Sequence, residues 1–137
     1  MNIFNIAKSL LTEVANKTTV LDCMEPRERF DKRENKNIRY YNIAEVYYDD
    51  QEDPGGKGRR WIEIVCYGTS LADNDVVRAY QIGGDTQTIQ PGWKLFRVDR
   101  FLGDIKVLGG TFDTPREYFN PNGDKSMKRV YAITKFN

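Results

Sequence analysis

The chain has 137 residues, 39% of them hydrophobic and 12% aromatic, and a net charge of +1. Those values describe a single folded domain over residues 1–137 with a small core, and they exclude a disordered tail and a globally basic nucleic-acid binder. There is no histidine, so a Ser-His-Asp or Cys-His centre is excluded within one chain, and a zinc site would have only two thiolates and carboxylates.

No apolar run approaches the roughly 20 residues of a membrane span. The first residues lack the basic-then-apolar pattern of an export signal. Both features point to a cytoplasmic protein with no membrane contact, in which Cys23 and Cys66 stay as buried free thiols. No metal or cofactor is expected.

Residues 2–15 carry the clear helix signal, and a helix is expected within residues 1–16. Ile3, Ile6, Ala7, Leu10, Leu11 and Val14 recur on one face, with Asn5, Lys8, Ser9, Thr12 and Glu13 opposite. That apolar face is expected to plug one end of a sheet or barrel; the competing reading is a dimer or partner-docking helix. Residues 17–24 read as a short strand. Residues 25–36 interleave Arg27, Arg29, Lys32, Arg33 and Lys36 with Glu25, Glu28, Asp31 and Glu34, a solvated face rather than a phosphate tract.

Residues 38–48 are rich in tyrosine and β-branched residues and read as strand. Residues 49–58 are a hairpin loop punctuated by Pro54, Gly55, Gly56 and Gly58. Its acids Asp49, Asp50, Glu52 and Asp53 lack the alternating spacing of a calcium loop. Residues 59–67 form the strongest strand, with Ile62, Ile64 and Cys66 on one face. Beyond residue 101, Ile105 to Leu108 suggest a strand broken by Gly109-Gly110. Residues 114–117 suggest a helical turn, residues 120–124 a tight turn, and residues 128–136 a closing strand.

Residues 76–82 and 93–101 are two strands joined by a polar loop. The second bears a charged residue beside a large apolar one on both faces, a local conflict that often marks a site. Arg78, Lys94, Arg97 and Arg100 supply cationic donors, Tyr80, Trp93 and Phe96 supply rings, and Gln81 a further polar contact. Phosphate recognition favours the guanidinium fork, and single-strand binding favours a basic groove with stacking platforms. The structural alternative is that Arg97 pairs with Asp99, that Phe96 and Phe101 are core, and that Trp93 anchors a loop.

Residues from about 38 to 101 resemble a WYL domain, a ligand-sensing barrel often found behind a DNA-binding helix-turn-helix. The resemblance is carried by Val76-Val77-Arg78-Ala79-Tyr80-Gln81, by Phe96-Arg97-Val98-Asp99-Arg100-Phe101, and by Trp61-Ile62-Glu63 upstream. The Trp-Tyr-Leu tripeptide would fall near Asp75-Val76-Val77, where none of its residues is retained, and residues 1–37 contain no helix-turn-helix. The resemblance implies a small SH3-like barrel that binds a nucleotide or single-stranded nucleic acid. The expected fold is thus mainly β (α+β): a small twisted SH3-like barrel or strongly bent antiparallel sheet with one N-terminal helix. Its core would span residues 38–108, with a C-terminal turn and closing strand at 109–137.

Two functions compete. The first is a regulatory, non-enzymatic binding module for a nucleotide or single-stranded nucleic acid. The second is a protein-interaction or assembly factor using the barrel and the N-terminal helix, through homodimerisation or a host protein, a format suited to a phage or mobile element. Catalysis is the weakest reading: Glu63, Asp99 and Asp104 are available carboxylates, but nothing in their spacing brings two together.

Overall fold

The computed structural model describes residues 3–50, 56–85 and 92–136. Helix α1 spans Ile3–Cys23. Strands follow at Arg27–Asp31 (β1), Lys36–Tyr48 (β2), Gly58–Ser70 (β3), Asp75–Gly84 (β4), Gly92–Arg97 (β5), Lys106–Phe112 (β6) and Met127–Ile133 (β7), with a one-turn 3-10 helix, Val98–Arg100, after β5. The fold is mainly β: among the described residues there is one antiparallel seven-stranded sheet, not closed into a barrel, and one N-terminal helix. Of the two expected forms, the bent sheet is the one present.

β1 to β5 neighbour one another in chain order, while β6 pairs with β2 and β7 with β3. The sheet curls: β5 is three strands from β2, yet Phe101, just beyond it, bridges back to Tyr48 of β2. Leu102 N–H also donates to the Tyr47 carbonyl at 2.7 Å. The bend gives two apolar clusters. The larger gathers Ala44, Val46, Tyr48, Ile62, Ile64, Val77, Ala79, Phe96, Val98 and Phe101 beneath Val20 and Cys23 of α1. The smaller holds Tyr41, Val65, Cys66, Val76, Phe112 and Met127, with Trp93, Leu95, Phe119 and Phe136 packed against it.

The register of β3 against β4 shifts between Ile64 and Cys66. The extra residue breaks strict alternation, so Cys66 joins the smaller cluster while Ile62 and Ile64 face the larger. The expectation that these three share a face is corrected by that bulge. Both thiols are free and buried, and burial pushes each up to about 11.

The helix departs most from expectation. It continues through residues 17–24, read as strand, to Cys23. Thr18 and Thr19 donate back to the Val14 and Ala15 carbonyls at 3.3 and 3.1 Å, and Pro26 lies just beyond the last turn. Its buried residues are Asn16, Val20 and Cys23. Ile3, Ile6, Ala7, Leu10, Leu11 and Val14, expected to plug the sheet, are all exposed. Burial at the C-terminal half outweighs the β preference of Thr18, Thr19 and Val20.

Smaller differences are local. Residues 25–36 hold strand β1 and a turn, closing a solvated hairpin as the balanced charge suggested. β6 runs through Gly109-Gly110 because β2 offers it a ladder partner. Residues 117–118 are a turn, not a helix, and the closing strand ends at Ile133. Glu52, Asp53, Pro54 and Gly55 of the acidic hairpin, and residues 86–91 of the loop before β5, lie outside the described residues.

Candidate functional site

β4 and β5 are adjacent, with Ala79 opposite Lys94 and Tyr80 opposite Trp93. Alternation sends Val77, Ala79 and Phe96 toward the larger cluster and Val76, Trp93 and Leu95 toward the smaller. The large apolar residues on both faces of β5 therefore have a packing cause. Phe96 is fully buried, its ring 4.8 Å from that of Tyr48, and the buried Arg60 guanidinium lies 5.4 Å from it. Gln81 is 2% exposed. Neither residue is placed to meet a ligand, and both expectations are corrected by burial.

The arginines are brought to separate places. Arg97 donates from Nε and Nη2 to Asp99 at 3.0 and 2.7 Å, the internal pair foreseen as the alternative. Arg100 falls in the 3-10 turn rather than on a strand and is exposed; its carbonyl accepts from Asp49 N–H at 3.1 Å. Lys94 is half-buried on β5. The converging basic patch is not formed.

Arg78, Tyr80 and Trp93 do come together, on the face of the smaller cluster, where residues 113–126 cross the sheet. Arg78 donates from Nε to Asp124 Oδ2 at 2.6 Å and from Nη2 to Oδ1 at 3.2 Å. Burial of Asp124 works against its charge, but the Arg78 hydrogen bond, the Ser126 N–H at 2.8 Å and the Arg78 charge together hold its carboxyl below the ordinary value. Arg116 makes a second fork, to Glu63 Oε1 at 3.0 Å and Oε2 at 2.9 Å. Its guanidinium stands 4.7 Å over the Tyr80 ring, which meets Trp93 edge-on at 5.4 Å. The Trp93 indole N–H donates to the Glu117 carbonyl at 2.8 Å.

These contacts frame a cleft of about 200 Å³ lined by Val65, Cys66, Arg78, Trp93, residues 118–120, Gly123 and Asp124. Tyr118 stands at its rim with φ 70°, a left-handed backbone uncommon for a bulky residue. The cleft is below the usual 300–1,000 Å³ of drug-sized sites. Arg116, Tyr118, Phe119, Asn120 and Asp124 were missed in the sequence, where residues 120–124 announce only a turn. Glu63 and Asp99, two of the candidate catalytic carboxylates, are each held by an arginine. Among the described residues no cluster of three metal-ligating side chains occurs, and no helix is long and apolar enough to cross a membrane.

The second feature of functional interest is α1. Asn16, 1% exposed, donates from Nδ2 to the Gly103 carbonyl and accepts from Ile105 N–H, both at 2.9 Å. Lys17 reaches Asp75 at 2.7 Å. Asn5, Lys8, Ser9, Leu10, Thr12 and Glu13 of the first half line a cleft against residues 98–103. At 100° per residue, the face turned to solvent is the apolar one. It presents Ile3, Phe4, Ile6, Leu10, Leu11, Val14 and Leu21 at exposures from 45% to 85%.

No family model matches the chain, and no solved structure matches it. It is similar in part to the UPF0246 protein BF4021 of Bacteroides fragilis (strain YCH46), with 40% identity over 52 residues. That match covers 33% of this chain and 20% of the relative, so the chain spans about a fifth of the relative's length. The class defined by fold and site is a small, bent, helix-bearing β-sheet protein.

Proposed function

We propose that the protein is a non-enzymatic interaction or assembly module that works in the cytoplasm and docks a protein surface on the apolar face of α1. One observation carries this reading: seven large apolar side chains of α1 are exposed, while its mostly polar side lines a cleft against residues 98–103. Monomeric proteins rarely expose contiguous apolar patches larger than a few hundred Å². The cytoplasmic setting rests on Cys23 and Cys66, two unbridged thiols buried in separate clusters.

Affinity capture with the full chain as bait tests the reading, with Leu10→Asp and Leu11→Asp as controls. Both positions are exposed, so the variants keep the fold while losing the partner. Retention indifferent to both substitutions refutes it.

A second reading is favoured by the cleft. Trp93, Tyr118 and Phe119 beside Arg78 and Asn120 suit the flat ring of a nucleotide or of an unstacked base. Against it, the forks of Arg78, Arg97 and Arg116 are each engaged by a carboxylate of the same chain. Titration of tryptophan fluorescence with mononucleotides and short single-stranded DNA and RNA at low salt is the check. A quench abolished by Trp93→Leu supports this reading, and a flat response removes it.

A further inference from the structure

Resting on the docking role of α1, we infer that the partner is a second copy of this chain, its helix laid antiparallel on the first about a two-fold axis between Thr12 and Glu13. Phe4, Ala7, Leu11, Val14, Thr18 and Leu21 follow one another at intervals of three, four, three, four and three residues. That is the spacing of an a/d seam in a two-helix coiled coil. All six are exposed. The positions a free coiled coil would turn to water are here turned to the body: Asn16 is bonded to the 103–105 backbone, Val20 and Cys23 lie in the core, and Ser9 faces residues 98–103. The sheet therefore lies on the side away from the seam, and two copies meet without their sheets colliding.

The antiparallel direction follows from the side chains. Phe4 is as far from the midpoint between Thr12 and Glu13 as Leu21 is, Ala7 as far as Thr18, and Leu11 as far as Val14. A two-fold through that midpoint sets large against large at both ends, small against small in the next layers, and Leu against Val at the centre. A parallel pair would instead set each seam residue against itself, Phe4 on Phe4 and Ala7 on Ala7, and the cross-linking test below separates the two directions. The seam carries no charge from Ile3 to Leu21 apart from its flanks. One flank holds Lys8 and Asp22; in this register the copy's Asp22 falls level with Ile3, five residues along the axis from Lys8, so that flank supplies no close charge pair. On the other, Lys17 is drawn off the seam by Asp75 and Glu13 of its own chain. The interface is self-complementary, as a two-fold requires. The large seam residues Phe4, Leu11, Val14 and Leu21 are 47% to 77% exposed in the single chain, and the second copy would cover them; a standard interface takes roughly 800 Å² from each partner.

Sedimentation equilibrium of the full chain up to about 200 µM reads the assembly directly. The expected mass is twice the 15.9 kDa of one chain, and Leu11→Asp weakens the dimer by about 100-fold or more. Direction is read by mild oxidation. Phe4→Cys combined with Leu21→Cys cross-links two chains, whereas Phe4→Cys alone does not; Cys23 and Cys66 are buried and stay out of the reaction. A monomer at the top concentration, a dimer indifferent to Leu11→Asp, or cross-linking by Phe4→Cys alone overturns the proposal. A monomer that still loses another captured protein on Leu11→Asp sinks the second copy but keeps the docking role. A monomer whose captured proteins ignore that substitution sinks both.

Discussion

Replacing Arg116 with alanine tests the physics of the cleft. Glu63 is only 4% exposed at its side chain, and Arg116, at 45%, supplies both hydrogen bonds that satisfy it. Such charge-assisted bonds contribute about 1.5–3 kcal/mol each when sheltered. The half-exposed guanidinium lets water compete, which reduces their joint contribution to about 2–3 kcal/mol. Contact with the Tyr80 ring at 4.7 Å adds about 0.5 kcal/mol. Arg116→Ala also leaves a buried carboxylate without its cation, so the loss is expected near 3 kcal/mol.

At about 2.1 cal/mol/K per residue, 137 residues give an unfolding entropy of about 0.29 kcal/mol/K, and the midpoint falls by about 10 °C. Urea denaturation and calorimetry measure both numbers. Glu63→Gln with Arg116→Ala closes a double-mutant cycle, whose coupling is expected above about 1 kcal/mol. A loss under about 0.5 kcal/mol with no coupling would show that the pair is solvent-screened and does not fasten residues 113–126 to the sheet.

Asn16→Ala removes two buried hydrogen bonds and leaves the Ile105 N–H without its acceptor, a loss of about 2–3 kcal/mol in urea denaturation; an effect below about 0.5 kcal/mol refutes the anchor. Cys23 and Cys66 are pushed by burial from an ordinary 9.0 to about 11, so the folded state favours the neutral thiols. Their contribution is intact below pH 9 and is lost as pH rises through 11, by about 2–3 kcal/mol per thiol. Tyr67, also raised by burial, acts in the same sense, so Cys23→Ala should flatten the alkaline limb of a melting-temperature profile only in part. Asp124 is held low by Arg78, so this pair stabilises above the ordinary 3.8 and fails as pH falls below it through the folded value. Arg78→Ala should therefore lower neutral-pH stability and flatten the acid limb, and an acid limb unchanged in that variant would contradict the assignment.

The β-rich class, the positions of most strands and the Arg97–Asp99 pair were legible because they depend on neighbours in sequence. An i, i+2 salt bridge and period-two alternation are local patterns. The cleft was not legible. Arg78 finds Asp124 46 residues away and Arg116 finds Glu63 53 residues away, and no periodicity links a turn such as residues 120–124 to a strand. The bulge at Val65 hides for a similar reason: one extra residue in the ladder is set by the partner strand, not by composition. Phe96 and Gln81 misled because alternation assigns them a common side with neighbours without saying which side is covered.

The helix is the clearest case of that ambiguity. Its pattern divides it into an apolar and a polar face, and ordinary experience turns the apolar one inward. Here Asn16, central to the polar face, decides otherwise: its amide satisfies a carbonyl and an N–H of the 103–105 loop that would otherwise be buried unpaired. Fixing Asn16 inward fixes the rotation of every residue before it, and Phe4, Leu11 and Val14 are carried outward. The segment from Ile3 to Val14 extends a 21-residue helix that is anchored at Asn16, Val20 and Cys23, and it buries none of its large apolar residues in its own chain. A surface laid on the stripe would add to the order that the anchored half provides. Hydrogen exchange at the amides of residues 7–14 should accordingly slow as protein concentration rises through the dissociation constant of the dimer, while the amides of β3 and β4 stay unchanged. Exchange at residues 7–14 that is fast and independent of concentration would mean that the stripe meets no second copy.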